Sequence, residues 1–117
     1  MTGFSDAIVS SISATEAIAL TESGSWLLDV REQVEWDRGH APTAHLVPLS
    51  ELPARLVEIP SDQLVLVVCH AGGRSLRAAT ALADAGVDVV NVTGGMLAWS
   101  ASGGALVSDG SDAARVE

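Results

Sequence analysis

Leu64-Val65-Leu66-Val67-Val68 runs without a polar residue into Cys69-His70-Ala71-Gly72-Gly73-Arg74-Ser75, and helical apolar spacing follows from Leu76 to Ala85. A continuous, Val-rich apolar run reads as a strand buried on both faces, the mark of a parallel sheet with helices over each side. The turn after it carries two glycines and opens a helix. The thiol of Cys69 is therefore delivered to the positive end of that helix and to a ring of backbone N–H groups. Free cysteine has a pKa of about 8.5, and such surroundings with an Arg nearby lower it by one to several units. Cys69 is the candidate nucleophile. An unpaired Cys after a strand is often only a small buried hydrophobe, but the two glycines, Arg74 and Ser75 are features that core packing does not require.

Outward from this stretch the same alternation repeats. Trp26-Leu27-Leu28-Asp29-Val30 reads as a second buried strand, Arg31 to Arg38 as a charged surface helix ended by Gly39, and Ala44 to Val47 as a short strand before Pro48. Helical spacing of Leu52, Leu56 and Ile59 predicts a helix over Ser50 to Glu58, with Pro53 tolerated in its first turn. Downstream, Gly86 closes the helix that begins at Ser75, Val87 to Val92 reads as a strand, and Thr93-Gly94-Gly95 turns into a last helix over Met96 to Ser100. At the start, an apolar stretch lies within Ser5 to Ser13, and Ser13-Ala14-Thr15-Glu16 offers capping residues for a short helix over Ala17 to Leu20. The pattern predicts an α/β fold: a doubly wound parallel sheet of about five strands with helices on both faces. In such sheets ligands bind at the carboxyl ends of the strands, where Cys69 stands.

Length and composition bound the rest. A chain of 117 residues suits one domain that buries a core without disulfides or metals. Residues 1–107 are read as that domain and 108–117 as a flexible tail with little apolar content. The six basic residues are all arginine against fifteen acidic ones, a net charge of −9, which makes nucleic acid and anionic membranes poor partners. No apolar run approaches the roughly 18 residues that span a bilayer, and no secretory signal is evident. The cytoplasm, which keeps a thiol reduced, is the expected location.

The three histidines lie apart with no metal-ligand spacing, and no Walker or GxGxxG pattern opens a helix, so no metal and no cofactor are read from the chain. Glu32, Glu35 and Asp37, interspersed with Arg31 and Arg38, read as a solvated helix face.

Four stretches taken together resemble the single-domain rhodanese family of sulfurtransferases: Leu28-Asp29-Val30-Arg31-Glu32, Gly39-His40-Ala41-Pro42, Cys69 to Ser75, and Gly94-Gly95-Met96-Leu97-Ala98-Trp99. The likeness covers roughly Ile12 to Val107. It implies that Cys69 takes a sulfane sulfur from thiosulfate or a thiol persulfide, becomes a persulfide, and passes the sulfur to cyanide or a thiol, a covalent two-step catalysis. The partners implied are a small-molecule sulfur donor and a thiol or cyanide acceptor, with a protein acceptor as a further option. His70, Ala71, Gly72, Gly73, Arg74 and Ser75 would form the substrate-binding loop. There Arg74 would hold an anionic donor or the persulfide charge, and Ser75 would cap the helix and donate to the sulfur. Asp29 and Arg31 match the family's Asp-x-Arg and would support the loop without reacting. His40 would hold local structure, Gly94 and Gly95 would allow close approach to the pocket, and Trp99 would pack in the core.

The chain departs from the family pattern at Thr43, at His45 and at His70, where thiosulfate-using members frequently carry Arg. A mostly neutral His70 and a net charge of −9 weaken attraction for a dianion, which makes a thiol persulfide the better donor. Two other classes stay open. Phosphatases and arsenate reductases of a related fold use Cys-x5-Arg, whereas Cys69 to Arg74 is one residue shorter. A binding module that senses redox or sulfur state would keep the fold without turnover.

Overall fold

The computed structural model describes residues 8–117; Ser5 to Ala7 of the first apolar stretch lie outside that range. Five strands form one sheet in the order β1-β5-β4-β2-β3, every neighbouring pair parallel. In chain order the elements are β1 (Ser10–Ile12), α1 (Ala14–Glu22), β2 (Trp26–Asp29), α2 (Gln33–Arg38), β3 (His45–Leu46), a 3-10 helix (Leu49–Glu58), β4 (Val65–Val68), α3 (Gly73–Asp84), β5 (Val89–Val92) and α4 (Gly95–Ala101). The doubly wound α/β architecture expected from the strand pattern is the one observed.

Both faces of the sheet are covered, and the alternation of side chains along each strand divides the core in two. Leu27, Leu66, Val68 and Val92 face α1 and α4, packing with Ala14, Ala17, Met96 and Trp99. Leu28, Val65, Val67 and Val89 face the opposite way, packing with Leu52 of the 3-10 helix, with Ile59 just after it, and with Ala78, Ala79 and Leu82 of α3. Cys69 belongs to this second cluster. The start of α1 is fixed by a reciprocal cap in which the Glu16 amide donates to Ser13 Oγ at 3.1 Å and the Ser13 amide to Glu16 Oε1 at 3.4 Å.

Two elements differ from the sequence reading. The segment expected as a helix over Ser50 to Glu58 is 3-10 in form, with non-helical angles at Arg55; Pro53 has no N–H to donate and its ring crowds the preceding turn, which disfavours a continuous α-helix. β1 does not separate from an apolar stretch in the sequence, because its three residues, two exposed and one half-buried, carry too little periodicity. Residues 108–117, expected as a flexible tail, lie along α2 in this structure. The Asp109 amide donates to the Asp37 carbonyl at 3.3 Å, the Arg115 amide to the Arg38 carbonyl at 2.9 Å, and Val116 packs against the α1–α4 side of the core. No helix among the described residues is long and apolar enough to cross a membrane.

Candidate active site

β4 ends at Val68, and the next seven residues wrap from the strand end into the first turn of α3. Gly72 makes that wrap possible with φ at +125°, a conformation few other residues adopt. It is the residue before the first helical position, and its amide donates to Cys69 Sγ at 3.0 Å. Ser75 Oγ lies 3.3 Å from the same sulfur; its hydroxyl accepts from the thiol and is able to donate to the thiolate. Burial pushes the Cys69 thiol up, but the hydrogen bonds from the Ser75 hydroxyl and from the amides of Ser75, Gly72 and Ala71 outweigh it. The net result is a pKa below that of an ordinary thiol.

Ser75 is not the helix cap that the sequence suggests. It is the third residue of α3, fully buried, with its hydroxyl also 3.2 Å from the Gly72 carbonyl and 2.6 Å from Asn91 Oδ1. Of the two roles expected for it, contact with the sulfur is the one the geometry provides.

The back of the loop is held by α4. The Met96 amide donates to the Cys69 carbonyl at 2.7 Å and the Leu97 amide to the His70 carbonyl at 3.1 Å. Gly95 sits directly against these groups; a Cβ there would collide with the Cys69 carbonyl oxygen and the His70 backbone, and its φ is +58°. The close approach expected of the Gly94-Gly95 turn is thus present.

Asp29 and Arg31 stand at the end of β2, beside the strand that delivers Cys69; Asp29 is in register with Val68 and the Val30 amide donates to the Val68 carbonyl at 3.0 Å. The sequence pattern makes Arg31 the first residue of a surface helix, but its side chain is 1 % exposed. Its guanidinium donates to Asp29 Oδ1 and Oδ2 at 3.0, 3.1 and 2.8 Å and to the Gly39 carbonyl at 2.8 Å. Asp29 is fully buried and also accepts from the Arg31 amide at 3.0 Å. Burying a charged pair is tolerable only when its donors and acceptors are matched in this way. His40, also buried, stacks on Trp36 at a ring separation of 3.7 Å and is 2.8 Å through Nδ1 from the Trp36 carbonyl, a local structural role. Trp99 is in the core and donates to the Ala105 carbonyl at 3.0 Å.

Arg74 reaches away from the loop to α2, where it donates to both oxygens of Glu35 at 2.7 and 2.9 Å. The Arg74 hydrogen bonds hold the Glu35 carboxyl at a pKa of about 2, against the opposing effect of burial. The local charge pattern predicts a solvated face for Glu35. Its partner lies 39 positions away, so nothing in the local pattern could have linked them. Arg31, Glu35, Arg38, His70 and Glu117 line a cleft of about 140 Å³ beside the loop. Asn91, missed in the sequence, had a visible signal: a polar residue inside Val89-Val90-Asn91-Val92.

Residues 13–102 match the model of the rhodanese-like domain family. A sulfurtransferase of Allochromatium vinosum is 35% identical over 101 residues, covering 86% of this chain and 94% of that protein. Thiosulfate sulfurtransferase 18 of Arabidopsis thaliana is 38% identical over 108 residues, covering 78% of each chain. Among solved structures, a rhodanese-related protein from Thermoplasma volcanium superposes with a TM-score of 0.78 at 31% identity, covering 84% of this chain and 97% of that one.

Proposed function

The chain belongs to the rhodanese-like domain family, and on that premise we propose that it is a sulfurtransferase whose Cys69 carries the sulfur. The observation that carries this reading is the cradle around Sγ, with the Gly72 amide at 3.0 Å and the Ser75 hydroxyl at 3.3 Å at the N-terminus of α3. The Cys69 thiolate attacks the sulfane sulfur of the donor. The donor's S–S bond breaks and its electron pair leaves with sulfite, or with a thiolate when the donor is a thiol persulfide. Cyanide or an acceptor thiolate then attacks the outer sulfur, the Cys69 Sγ–S bond breaks, and the Cys69 thiolate is restored. Sγ itself is buried, with Cys69 only 1 % exposed, so the outer sulfur of the persulfide is the atom that an acceptor of any size meets, whether a small thiol or a protein thiol.

The donor we favour is a thiol persulfide. Three cations near the loop are already paired: Arg74 with Glu35, Arg31 with Asp29, and Arg38 with Glu117 at 3.2 Å. With a net charge of −9 besides, little positive field is left to draw in a dianion such as thiosulfate. The short Cys-x4-Arg loop, with its arginine turned to Glu35, supports sulfur chemistry over the binding of a tetrahedral oxyanion. A reduced thiol of this kind suits a reducing compartment such as the cytoplasm.

The test is the intact mass of the reduced protein after incubation with thiosulfate or with glutathione persulfide, beside a Cys69→Ser control. A gain of one sulfur that cyanide removes and that the control lacks is the expected result, with the persulfide the faster donor. No gain from either donor would overturn the reading in favour of a binding or sensing module.

A further inference from the structure

Asn91 occupies the interior of β5, which has strands on both sides, and it is 6 % exposed. Asn is depleted in strands, and a buried amide is costly unless its hydrogen bonds are made, so an aliphatic residue would suit this position better if packing were the only demand. In register it stands between Val67 of β4 and Ser11 of β1. Its Nδ2 donates to Ser11 Oγ at 3.3 Å, and its Oδ1 lies 2.6 Å from Ser75 Oγ. Ser75 Oγ is in turn 3.3 Å from Cys69 Sγ. One continuous chain of hydrogen bonds therefore runs from the exposed Ser11 through two buried side chains to the sulfur.

A serine hydroxyl has one proton to give. When Cys69 is a thiol, its S–H donates to Ser75 Oγ, and the Ser75 proton goes to Asn91 Oδ1. When Cys69 is a thiolate, the Ser75 proton turns to Sγ. Its lone pairs would then face those of Asn91 Oδ1 at 2.6 Å, a repulsive contact. A half-turn of the amide presents Nδ2 to Ser75 instead and removes the conflict. Ser11, whose hydroxyl both gives and accepts, then donates to Oδ1.

We propose that Asn91 is a positioning residue for Cys69: by reversing its amide it lets Ser75 donate to the ionised sulfur, and so stabilises the thiolate. An aliphatic side chain at this position cannot donate to Ser75, and an acidic one, once ionised, only accepts from it. The proposal rests on Cys69 acting as the thiolate nucleophile. The other charged and titratable groups around the sulfur are Arg74 and His70 of the loop, Glu35 of α2, and Asp29 and Arg31 at the end of β2; none contacts Asn91 through a side-chain hydrogen bond.

The experiment is the pH dependence of Cys69 alkylation by iodoacetamide in the full chain, compared across wild type, Asn91→Leu, Ser75→Ala and the double variant. Asn91→Leu is expected to raise the thiol pKa by about one unit, a tenfold loss of thiolate at neutral pH, and to add little in the Ser75→Ala background. An unchanged pKa in Asn91→Leu, or an equal rise in both backgrounds, would overturn the proposal. Should Asn91→Leu not fold, the isosteric Asn91→Asp serves: a raised pKa supports the proposal and an unchanged one overturns it. Sulfur loading from glutathione persulfide is recorded alongside. Failure of wild type to load, with the alkylation shifts as expected, would sink the sulfurtransferase reading and leave this one standing.

Discussion

Arg74, the basic residue of the Cys69 loop, spends both terminal nitrogens on the Glu35 carboxylate at 2.7 and 2.9 Å. Glu35 Oε1 also accepts the Glu32 amide at 3.0 Å, so the carboxylate that fixes the first turn of α2 also holds the loop's cation in place. The charge of Arg74 is thereby neutralised where an anionic donor would meet it. Glu35→Gln leaves the shape and releases the charge. The expected outcome is a rise of roughly threefold to tenfold in kcat/KM for thiosulfate, with glutathione persulfide little affected. Steady-state rates with both donors at low and high salt check it, the gain shrinking as salt screens the freed cation.

The same pair makes stability depend on pH. The folded-state pKa of Glu35 is depressed to about 2 from 4.5, chiefly by its hydrogen bonds from Arg74. A depressed carboxylate contributes stability that is present above its unfolded pKa and is lost as pH falls through the folded value. The window is therefore pH 4.5 down to about 2. Because the Arg74 and Glu35 side chains are 33% and 23% exposed, solvent screening leaves about 1 kcal/mol of the full effect. Urea denaturation of wild type and Glu35→Gln should differ by that amount at pH 6 and converge at pH 2; a constant gap would show that the pair contributes no linkage.

Much of this arrangement could be read from residue order, and the parts that could not share a cause. The buried strands were legible because Leu64 to Val68 and Trp26 to Val30 are apolar without interruption, and the Cys69 loop because glycines and a helix start follow the strand directly. These are local signals. Arg31 and Glu35 sit in a stretch rich in charge, where local pattern favours a solvated face. Their burial and pairing are set by Asp29, Gly39 and Arg74, whose positions only the closed sheet determines. Ser75 reads as the cap because Ser is a favoured capping residue, whereas Gly72 takes that place and frees the hydroxyl for Sγ. Asn91 shows the limit from the other side. Its oddity in an apolar strand is visible, but its partners lie 16 and 80 positions away.

Ser75 offers the most direct test of the thiol environment. Burial pushes the Cys69 pKa up and the Ser75 hydroxyl leads the hydrogen bonds that bring it below that of an ordinary thiol. Removing that hydroxyl leaves the burial and subtracts the main opposing bond. Ser75→Ala should move the rise of sulfur-loading rate with pH toward the alkaline side and slow loading at pH 7 by roughly tenfold, while leaving the plateau rate at high pH within about twofold. Rapid-quench mass measurement across pH 6 to 10 checks it. A drop of equal size at every pH would place the role of Ser75 in shaping the loop and not in ionising the thiol.

Gly95 and Gly73 frame the loop from two sides and predict opposite tolerances. At Gly95 a Cβ would meet the Cys69 carbonyl oxygen and the His70 backbone, and φ is +58°. Neither neighbour is a flexible side chain, and both belong to the loop that the Met96 and Leu97 amides hold. Gly95→Ala must therefore push α4 away from the loop, at an expected cost of about 2–4 kcal/mol, and must lengthen the hydrogen bonds that fix the Cys69 carbonyl. At Gly73 a Cβ meets nothing within 4 Å, and Ala is a better helix former by about 1 kcal/mol. Gly73→Ala should fold at least as stably as wild type and load sulfur at a similar rate, whereas Gly95→Ala should lose both stability and loading. Thermal melts and loading rates of the two variants decide the matter. Equal tolerance at both positions would mean that α4 is not what seats the Cys69 loop, and that the loop is held from the α3 side alone.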